Sequence, residues 1–373
     1  MKVGLLSFHN AANYGAALQA FALQKVLLEN EIDCEYINYQ NSFRKSAYSM
    51  TFHIISSIKK GEFIKAIKYI LGSPFLKLRK FRFSKFYKEN LKCTKRVFSS
   101  SSQLIELNQE YTKFIVGSDQ VWNWHHNGQD DTFFLSFVDD DSKKISYSSS
   151  FGMAEIPQEH MEIYRFYLSR IKYLSVREKI GIELLKNLTK REASLVLDPV
   201  FLLSKHQWEN LAIQKKITKN KRIIFSYTNK PNQIESFLSV TKYSLKNSRV
   251  FKLTGNLNII DFLNPKIYVK YSMSPYEFLS IIRDADLIVS ASFHCIALSI
   301  LLNKQFVAIL SGNKGRDERL LNILSLLGLK DRIFSDQMNE TKVNEIIEYD
   351  FINNEIEKLK YSSMNFLFSA IKN

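Results

Sequence analysis

The sequence predicts an α/β protein of two doubly wound, Rossmann-like domains facing each other across a cleft, and three observations carry that expectation. The 373-residue chain is longer than one ordinary hydrophobic core organises, so two domains of about 150–200 residues are expected. Short apolar runs of the kind buried in parallel sheets break repeatedly into polar turns and then into helical periodicity. A polar, lysine-rich stretch around Lys215 to Lys221 separates two such series. The expected division is a first α/β domain over 1–205, with a basic and aromatic helical insertion at about 41–96. A second α/β domain follows over 206–345, and a C-terminal helix over 346–373 is placed to cross back to the first domain.

Taken in order, Lys2 to Phe8 is an apolar strand that runs into the polar turn His9-Asn10-Ala11-Ala12-Asn13-Tyr14-Gly15, and Ala16 to Leu28 has helical spacing. No GxGxxG is present, which excludes the dinucleotide fingerprint. Asp33 to Tyr39 gives a second strand. Phe114 to Val116 opens into Gly117-Ser118-Asp119-Gln120-Val121-Trp122-Asn123, a buried strand ending in a carboxylate, an amide and an indole. Ile145 to Gly152 ends in small hydroxyl residues, and Tyr173 to Glu178 ends on an Arg–Glu pair before a helix over about Lys179 to Leu188. Leu195 to Val200 closes the first series, with Pro199 as its terminator.

Arg222 to Tyr227 restarts the pattern, followed by a helix from about Ile234 to Leu245 and strands at Arg249 to Thr254 and Lys266 to Val269. Ser274 caps a helix whose first turn contains Pro275. Leu287 to Val289 is a buried strand, and from Cys295 the apolar residues recur at helical spacing. The turn Ser290-Ala291-Ser292-Phe293-His294 therefore sits at a helix start, where free N–H groups and the helix dipole favour an anion. Gln305 to Leu310 leads to the loop Ser311-Gly312-Asn313-Lys314-Gly315-Arg316, and helices from about Arg319 and from Val343 close the chain.

Cys34, Cys93 and Cys295 are few, far apart and odd in number, which fits a reducing compartment rather than a disulfide framework. The start reads directly as a strand, not a signal peptide, and no run reaches the roughly 18 apolar residues of a membrane span. A cytoplasmic protein is expected. Of the net charge of +15, the segment from Asn41 to Arg96 carries +13, with aromatic residues interleaved. An interfacial element resting on anionic lipid needs that mixture, as does a nucleic-acid face; an ordinary amphipathic insertion with solvated lysines is the structural alternative.

Six segments in order resemble the polysaccharide pyruvyl transferase family: Phe8 to Ala20, Gly117 to Asn123, Ser148 to Gly152, Ser175 to Glu178, Leu197 to Pro199 and Ser290 to His294. The resemblance runs from near residue 3 to about residue 332. It implies a fold similar to two-domain GT-B glycosyltransferases and transfer of the enolpyruvyl carbons of phosphoenolpyruvate to a sugar, forming a pyruvate ketal on a capsular, exopolysaccharide or cell-envelope glycan or its lipid-linked precursor. By the same resemblance Arg177 matches the arginine that holds the donor, and His294 matches the histidine that contacts it. Cys295 stands where many members have glycine, and the basic segment matches no family motif.

Phosphoenolpyruvate presents a carboxylate and a phosphate, which call for a planar fork and for point charges or a helix terminus. Arg177 and His294 are the expected donor ligands, with Ser292, Arg316 and Lys314 as further candidates; a salt bridge to Glu178 or Asp198 is the competing reading of Arg177. His294 suits a general acid or a phosphate clamp. The acceptor is expected on the first domain, among Asn13, Tyr14, Gln120, Trp122 and Asn123, with Asp119 as the base and His9 second. Capping a turn is the alternative for Asp119, and packing under the first helix the alternative for His9. Phosphoenolpyruvate enters as a co-substrate, with no separate cofactor and no metal expected. The partners are the glycan acceptor, expected on a polyprenyl diphosphate, and the anionic inner face of the cytoplasmic membrane. A GT-B glycosyltransferase using a sugar nucleotide and a non-catalytic glycan-binding protein are the competing functions.

Overall fold

The computed structural model describes residues 1–47, 50–214, 221–228, 230, 232–255 and 265–373. Six strands form the first sheet: β1 (Lys2–Leu6), β2 (Asp33–Tyr36), β3 (Lys113–Asp119), β4 (Lys144–Ser149), β5 (Ser175–Val176) and β6 (Ser194–Leu195). They lie in the order β2-β1-β3-β4-β5-β6, all parallel. The second sheet holds β7 (Arg222–Tyr227), β8 (Ser248–Leu253), β9 (Ile267–Lys270), β10 (Leu287–Ser290) and β11 (Phe306–Ala308), also parallel, in the order β11-β10-β7-β8-β9. The expected pair of doubly wound domains is present. Each sheet reverses its winding once, between β1 and β3 in the first and between β7 and β10 in the second. Such reversals open a crevice at the strand ends.

The helices are α1 (Tyr14–Glu29), α2 (Ser42–Ala47), α3 (Met50–Lys59), α4 (Phe63–Asn90), α5 (Trp124–Asn127), α6 (Met161–Ser169), α7 (Lys179–Thr189), α8 (Lys205–Leu211), α9 (Gln233–Thr241), α10 (Pro275–Asp284), α11 (Phe293–Leu301), α12 (Lys314–Leu326), α13 (Glu340–Asn344) and α14 (Tyr349–Lys372). Local capping explains several starts. The Asn13 side chain accepts from Ala16 N, Ser292 from Cys295 N, and Ser274 forms a capping box with Glu277 ahead of Pro275. All nine residues of α11 are buried, as expected of a helix apolar on every side. One apolar cluster runs from Leu18 and Leu23 of α1 to Phe278 of α10 and Ile296 of α11, so the two domains share a core. The last helix is tied to both: the Leu197 N–H donates to Ser363 Oγ, and the Tyr349 hydroxyl donates to the Lys304 carbonyl.

Several strands are shorter than their apolar runs. The expected strand Leu195 to Val200 pairs only over Ser194–Leu195, because Asp198 accepts from Val200 N and Pro199 starts a 3-10 turn over Pro199–Leu202. The helix expected from Arg319 begins at Lys314, since Asn313 Oδ1 caps it by accepting from Arg316 N. Within the lysine-rich stretch from Lys215 to Lys221, residues 215–220 lie outside the described residues.

Candidate active site between the two sheets

The two winding reversals face one another, and a cavity of about 470 Å³ lies between them. Phe8 follows β1, Asp119 ends β3, Tyr227 ends β7, and Ala291 and Ser292 follow β10. The N-terminal caps of α1 and α11, Asn13 and Ser292, both line it, so two helix dipoles present their positive ends to one space. Asp119 has φ of 100°, in the left-handed region that a non-glycine residue avoids. The side chain at this strained position accepts from Gln120 N at 2.8 Å and remains on the cavity wall. Arg44 of α2, His125 and His126 of α5, and Arg316 and Arg319 of α12 complete a wall rich in cations. Burial, with Arg316 next, lowers the His126 pKa below its ordinary value.

Beneath this wall Asp198 gathers a guanidinium and an imidazole. Arg177 Nη1 lies 2.5 Å from Asp198 Oδ2, and His294 Nε2 lies 3.5 Å from the same oxygen. Burial alone would raise the Asp198 carboxyl. The charges of His294 and Arg177 overcome it and hold the group well below the usual carboxylate range. Arg177 is otherwise incompletely satisfied: Nε and Nη2 have no hydrogen-bond partner, while Asp119 and Glu178 each stand 3.8 Å away. The Arg177 and Arg319 guanidinium groups lie 5.5 and 5.8 Å from the Phe293 ring centre. Desolvation and the charge of Arg177 bring the Arg319 pKa down to about 10, which leaves it protonated at neutral pH. The His294 Nε2 and Arg319 Nε atoms also lack hydrogen-bond partners. Of these, His294 and Arg319 line the cavity, where an anionic ligand would satisfy unpaired buried groups.

His294 is held from the first domain as well. A Cβ placed on Gly15 would overlap the Nδ1 edge of the His294 ring, so only glycine permits this approach of α1 to the imidazole. A Cβ on Gly315 would meet Met153 Cα at 2.6 Å, marking a second close contact between the domains.

Of the residues expected at the site, Asn13, Asp119, Gln120, Ser292, His294 and Arg316 line the cavity together. Arg177 does not: its side chain is 1% exposed and its guanidinium is engaged with Asp198, so the competing salt-bridge reading describes its geometry. Three expected acceptor residues also face elsewhere. Tyr14 is buried, stacks on Phe278 at 4.4 Å and donates to the Met273 carbonyl, so it joins the domains. Trp122 is fully buried against Phe134 and Phe151, and its Nε1 donates to the Phe133 carbonyl. Asn123 caps α5 through His125 N and is buried. Lys314 is exposed outside the cavity wall, and His9 lines a separate cavity. Arg319, Arg44, His125 and His126 are not among the residues expected from the sequence, and Asp198 is expected only as a salt-bridge partner. A signal for Arg319 existed, since it follows Arg316 by three residues and shares its helix face.

A family model described as polysaccharide pyruvyl transferase matches residues 13–313. Among solved structures, one assigned as a UDP-N-acetylglucosamine 2-epimerase from Listeria monocytogenes superposes with a TM-score of 0.53 at 10% identity, covering 98% of this chain and 90% of that one. A UDP-GlcNAc 2-epimerase from Methanocaldococcus jannaschii gives 0.50 at 12% identity, covering 97% of this chain and 100% of that one. At such identities the likeness speaks for the shared two-domain GT-B fold alone. Comparison with curated proteins gives no match.

Proposed function

Because the chain belongs to the polysaccharide pyruvyl transferase family, we propose that it transfers the enolpyruvyl group of phosphoenolpyruvate to a sugar of a capsular or cell-envelope glycan precursor, forming a pyruvate ketal and releasing phosphate. The observation that carries this reading is the cavity in which His294 and Asp119 come from opposite domains amid Arg44, Arg316 and Arg319. The cations and the two helix N-termini suit a small ligand with a carboxylate at one end and a phosphate at the other. His294 supplies the proton to the methylene carbon, which places positive character on the neighbouring carbon. A sugar hydroxyl attacks there and loses its proton to Asp119. Phosphate departs, and a second hydroxyl closes the ketal. Two hydroxyl protons are released, one restoring the acid and the other leaving on phosphate. Arg177 acts in this scheme by positioning Asp198, and through it His294.

Incubation with phosphoenolpyruvate and a lipid-linked glycan should produce a ketal-linked pyruvate by mass and an equivalent of phosphate, with His294→Gln slower by about 100-fold or more. Transfer from a sugar nucleotide in place of phosphoenolpyruvate would instead make the protein a glycosyltransferase and sink the proposal.

The acceptor in this reading is membrane-borne, and the arm of α3 and α4 supports that placement. Ile55, Ile58, Phe63, Ile64, Ile67 and Leu71 are exposed along it, Ile64 at 75%, beside exposed lysines. No helix among the described residues is long and apolar enough to cross a membrane, and the proposed contact is an interfacial one. Lys60, Lys68 and Lys77 are exposed, whereas Arg82 pairs with Glu277 and Arg79 lies over the Tyr14 ring. Reversing the three lysines to glutamate should therefore weaken binding to phosphatidylserine vesicles at least 100-fold, at ~1 kcal/mol per charge, and rising salt should weaken the parent protein's binding. Vesicle binding indifferent to salt and to these changes would remove the membrane from the scheme.

A further inference from the structure

Within the active-site cavity the two arginines of α12 stand at different depths. Arg316 and Arg319 are one helical turn apart, and both line the cavity. Arg316 is exposed, as are His125 and His126 on the same wall. Burial and then the Arg316 charge lower the His126 pKa, which makes these two groups neighbours at the mouth. Arg319 reaches inward. It also lines a smaller pocket of about 60 Å³ behind the cavity, together with Arg177, Asp198 and Phe293. Phe293 is shared by both spaces, and its ring centre lies 5.8 Å from the Arg319 guanidinium and 5.0 Å from the His294 ring. Phe293 and His294 are each 8% exposed, so this end is the cavity floor.

Among the described residues Arg319 has no carboxylate to itself. Those that act on it are Glu178, Asp119 and Asp198, and each is turned to Arg177, at 3.8, 3.8 and 2.5 Å. The Arg319 Nε is shut off from solvent and has no hydrogen-bond partner. Burial and the charge of Arg177 oppose its own charge, yet it stays protonated at neutral pH. A guanidinium with an unpaired buried N–H beside a second guanidinium is an unfavourable arrangement, and an anion on its fork relieves it.

The two ends of phosphoenolpyruvate differ in charge and in shape. Its phosphate carries about two charges at neutral pH and its carboxylate about one. The cost of taking an ion out of water rises with the square of its charge, so the single charge belongs at the floor and the double charge at the wet mouth. A carboxylate is planar and its two oxygens match the parallel N–H bonds of one guanidinium, whereas a phosphate is also well served by point charges. Phosphate must depart to solvent, and the mouth provides the route.

We propose that Arg319 reads the carboxylate of the donor at the cavity floor, and that Arg316 with His126 meets the phosphate at the mouth. The assignment rests on the pyruvyl-transfer reading for the identity of the donor, and adds the donor's orientation and the residue that selects it. A phosphate ester without a carboxylate loses the deep contact, so Arg319 makes the site selective for a carboxylated enol phosphate. The selection needs the guanidinium fork and not only its charge.

The test is titration calorimetry with phosphoenolpyruvate and with vinyl phosphate, the same enol ester without its carboxylate. The parent protein is compared with Arg319→Met, Arg319→Lys and Arg316→Met. The parent is expected to bind phosphoenolpyruvate at least about tenfold tighter than vinyl phosphate. Arg319→Met should abolish that preference while its vinyl phosphate affinity stays within twofold, and Arg319→Lys should lose most of the preference although it keeps the charge. Arg316→Met should weaken both probes by the same factor. If Arg319→Met does not fold, the parent's preference and Arg319→Lys decide. Absence of phosphoenolpyruvate binding to the parent, equal affinity of the parent for the two probes, or an undiminished preference in the Arg319 variants overturns the assignment. A preference lost in Arg316→Met instead overturns it too, since the donor would then lie the other way round. Ketal formation is measured apart from binding. A parent that shows the expected preference and forms no ketal sinks the pyruvyl-transfer reading and leaves the Arg319 assignment standing; a parent that forms the ketal with its preference independent of Arg319 sinks the assignment alone.

Discussion

Asp198→Ala is expected to lower stability by about 3–5 kcal/mol and to reduce transfer by a factor of about 1,000, the largest combined effect of any single change in this protein. The stability loss follows from the burial of Arg177, whose side chain is 1% exposed and whose closest anionic contact is Asp198 at 2.5 Å. Removing that carboxylate leaves the buried guanidinium with only the longer contacts to Asp119 and Glu178 at 3.8 Å, and breaking one partner of a buried pair costs far more than the net worth of the pair. The activity loss follows from His294, which loses the group facing Nε2 at 3.5 Å and with it the balance for positive charge on the ring. Denaturant midpoints supply the first quantity and phosphate release the second. The pH dependence has a definite sign. The folded Asp198 carboxyl is held below its unfolded value of roughly 3.9, so its contribution is present above about pH 4 and fades as pH falls toward the lower folded value. The stability gap between parent and variant should accordingly narrow below about pH 4. A variant as stable as the parent at neutral pH would show that Arg177 is satisfied some other way.

Gly15→Ala should reduce transfer by about 100-fold or more while the protein stays folded. Alanine is the better helix former by roughly 0.5–1 kcal/mol, so α1 taken alone would gain. The added Cβ, however, occupies the space of the His294 ring. The ring has little room to retreat, since Asp198 faces it and α11 is buried throughout. Either the imidazole rotates away or the domains separate by a fraction of an ångström to about 1 Å, and misplacement on that scale is enough to cost about 100-fold. Phosphate release measured beside the unfolding midpoint separates the two effects. Full activity in Gly15→Ala would mean that His294 need not occupy its observed place.

The Ser274 cap was legible in the amino-acid order because its force is local, and the polar break after an apolar run marks where a strand ends. Asn13 and Ser292, expected as ligand contacts, cap their helices by the same short-range bond to a backbone N–H three residues on. Which way a side chain points from such a turn was not legible. Trp122 and Tyr14 sit in loop or helix-start positions that look open to a ligand, yet Trp122 turns into an aromatic cluster and Tyr14 stacks on Phe278 of the other domain. Asp198 reads locally as the cap of a short turn, and it is one, accepting from Val200 N. Its other oxygen contacts residues 21 and 96 positions away, and no short-range pattern carries that information.

By itself the amino-acid order determined the alternation of buried strands and capped helices, the two parallel sheets, the position of His294 at a helix start, and the concentration of positive charge between Asn41 and Arg96. Hydrophobic periodicity and capping act over a few residues, so they survive in one dimension. The tertiary structure alone decided that Arg177 lies below the cavity and not on its wall, that Asp198 bridges it to His294, that Arg319 and Arg44 face the cavity, and that Gly15 admits the imidazole. Coulomb attraction and steric exclusion depend on distance in space, and segments remote in the chain acquire that distance only when the two sheets dock.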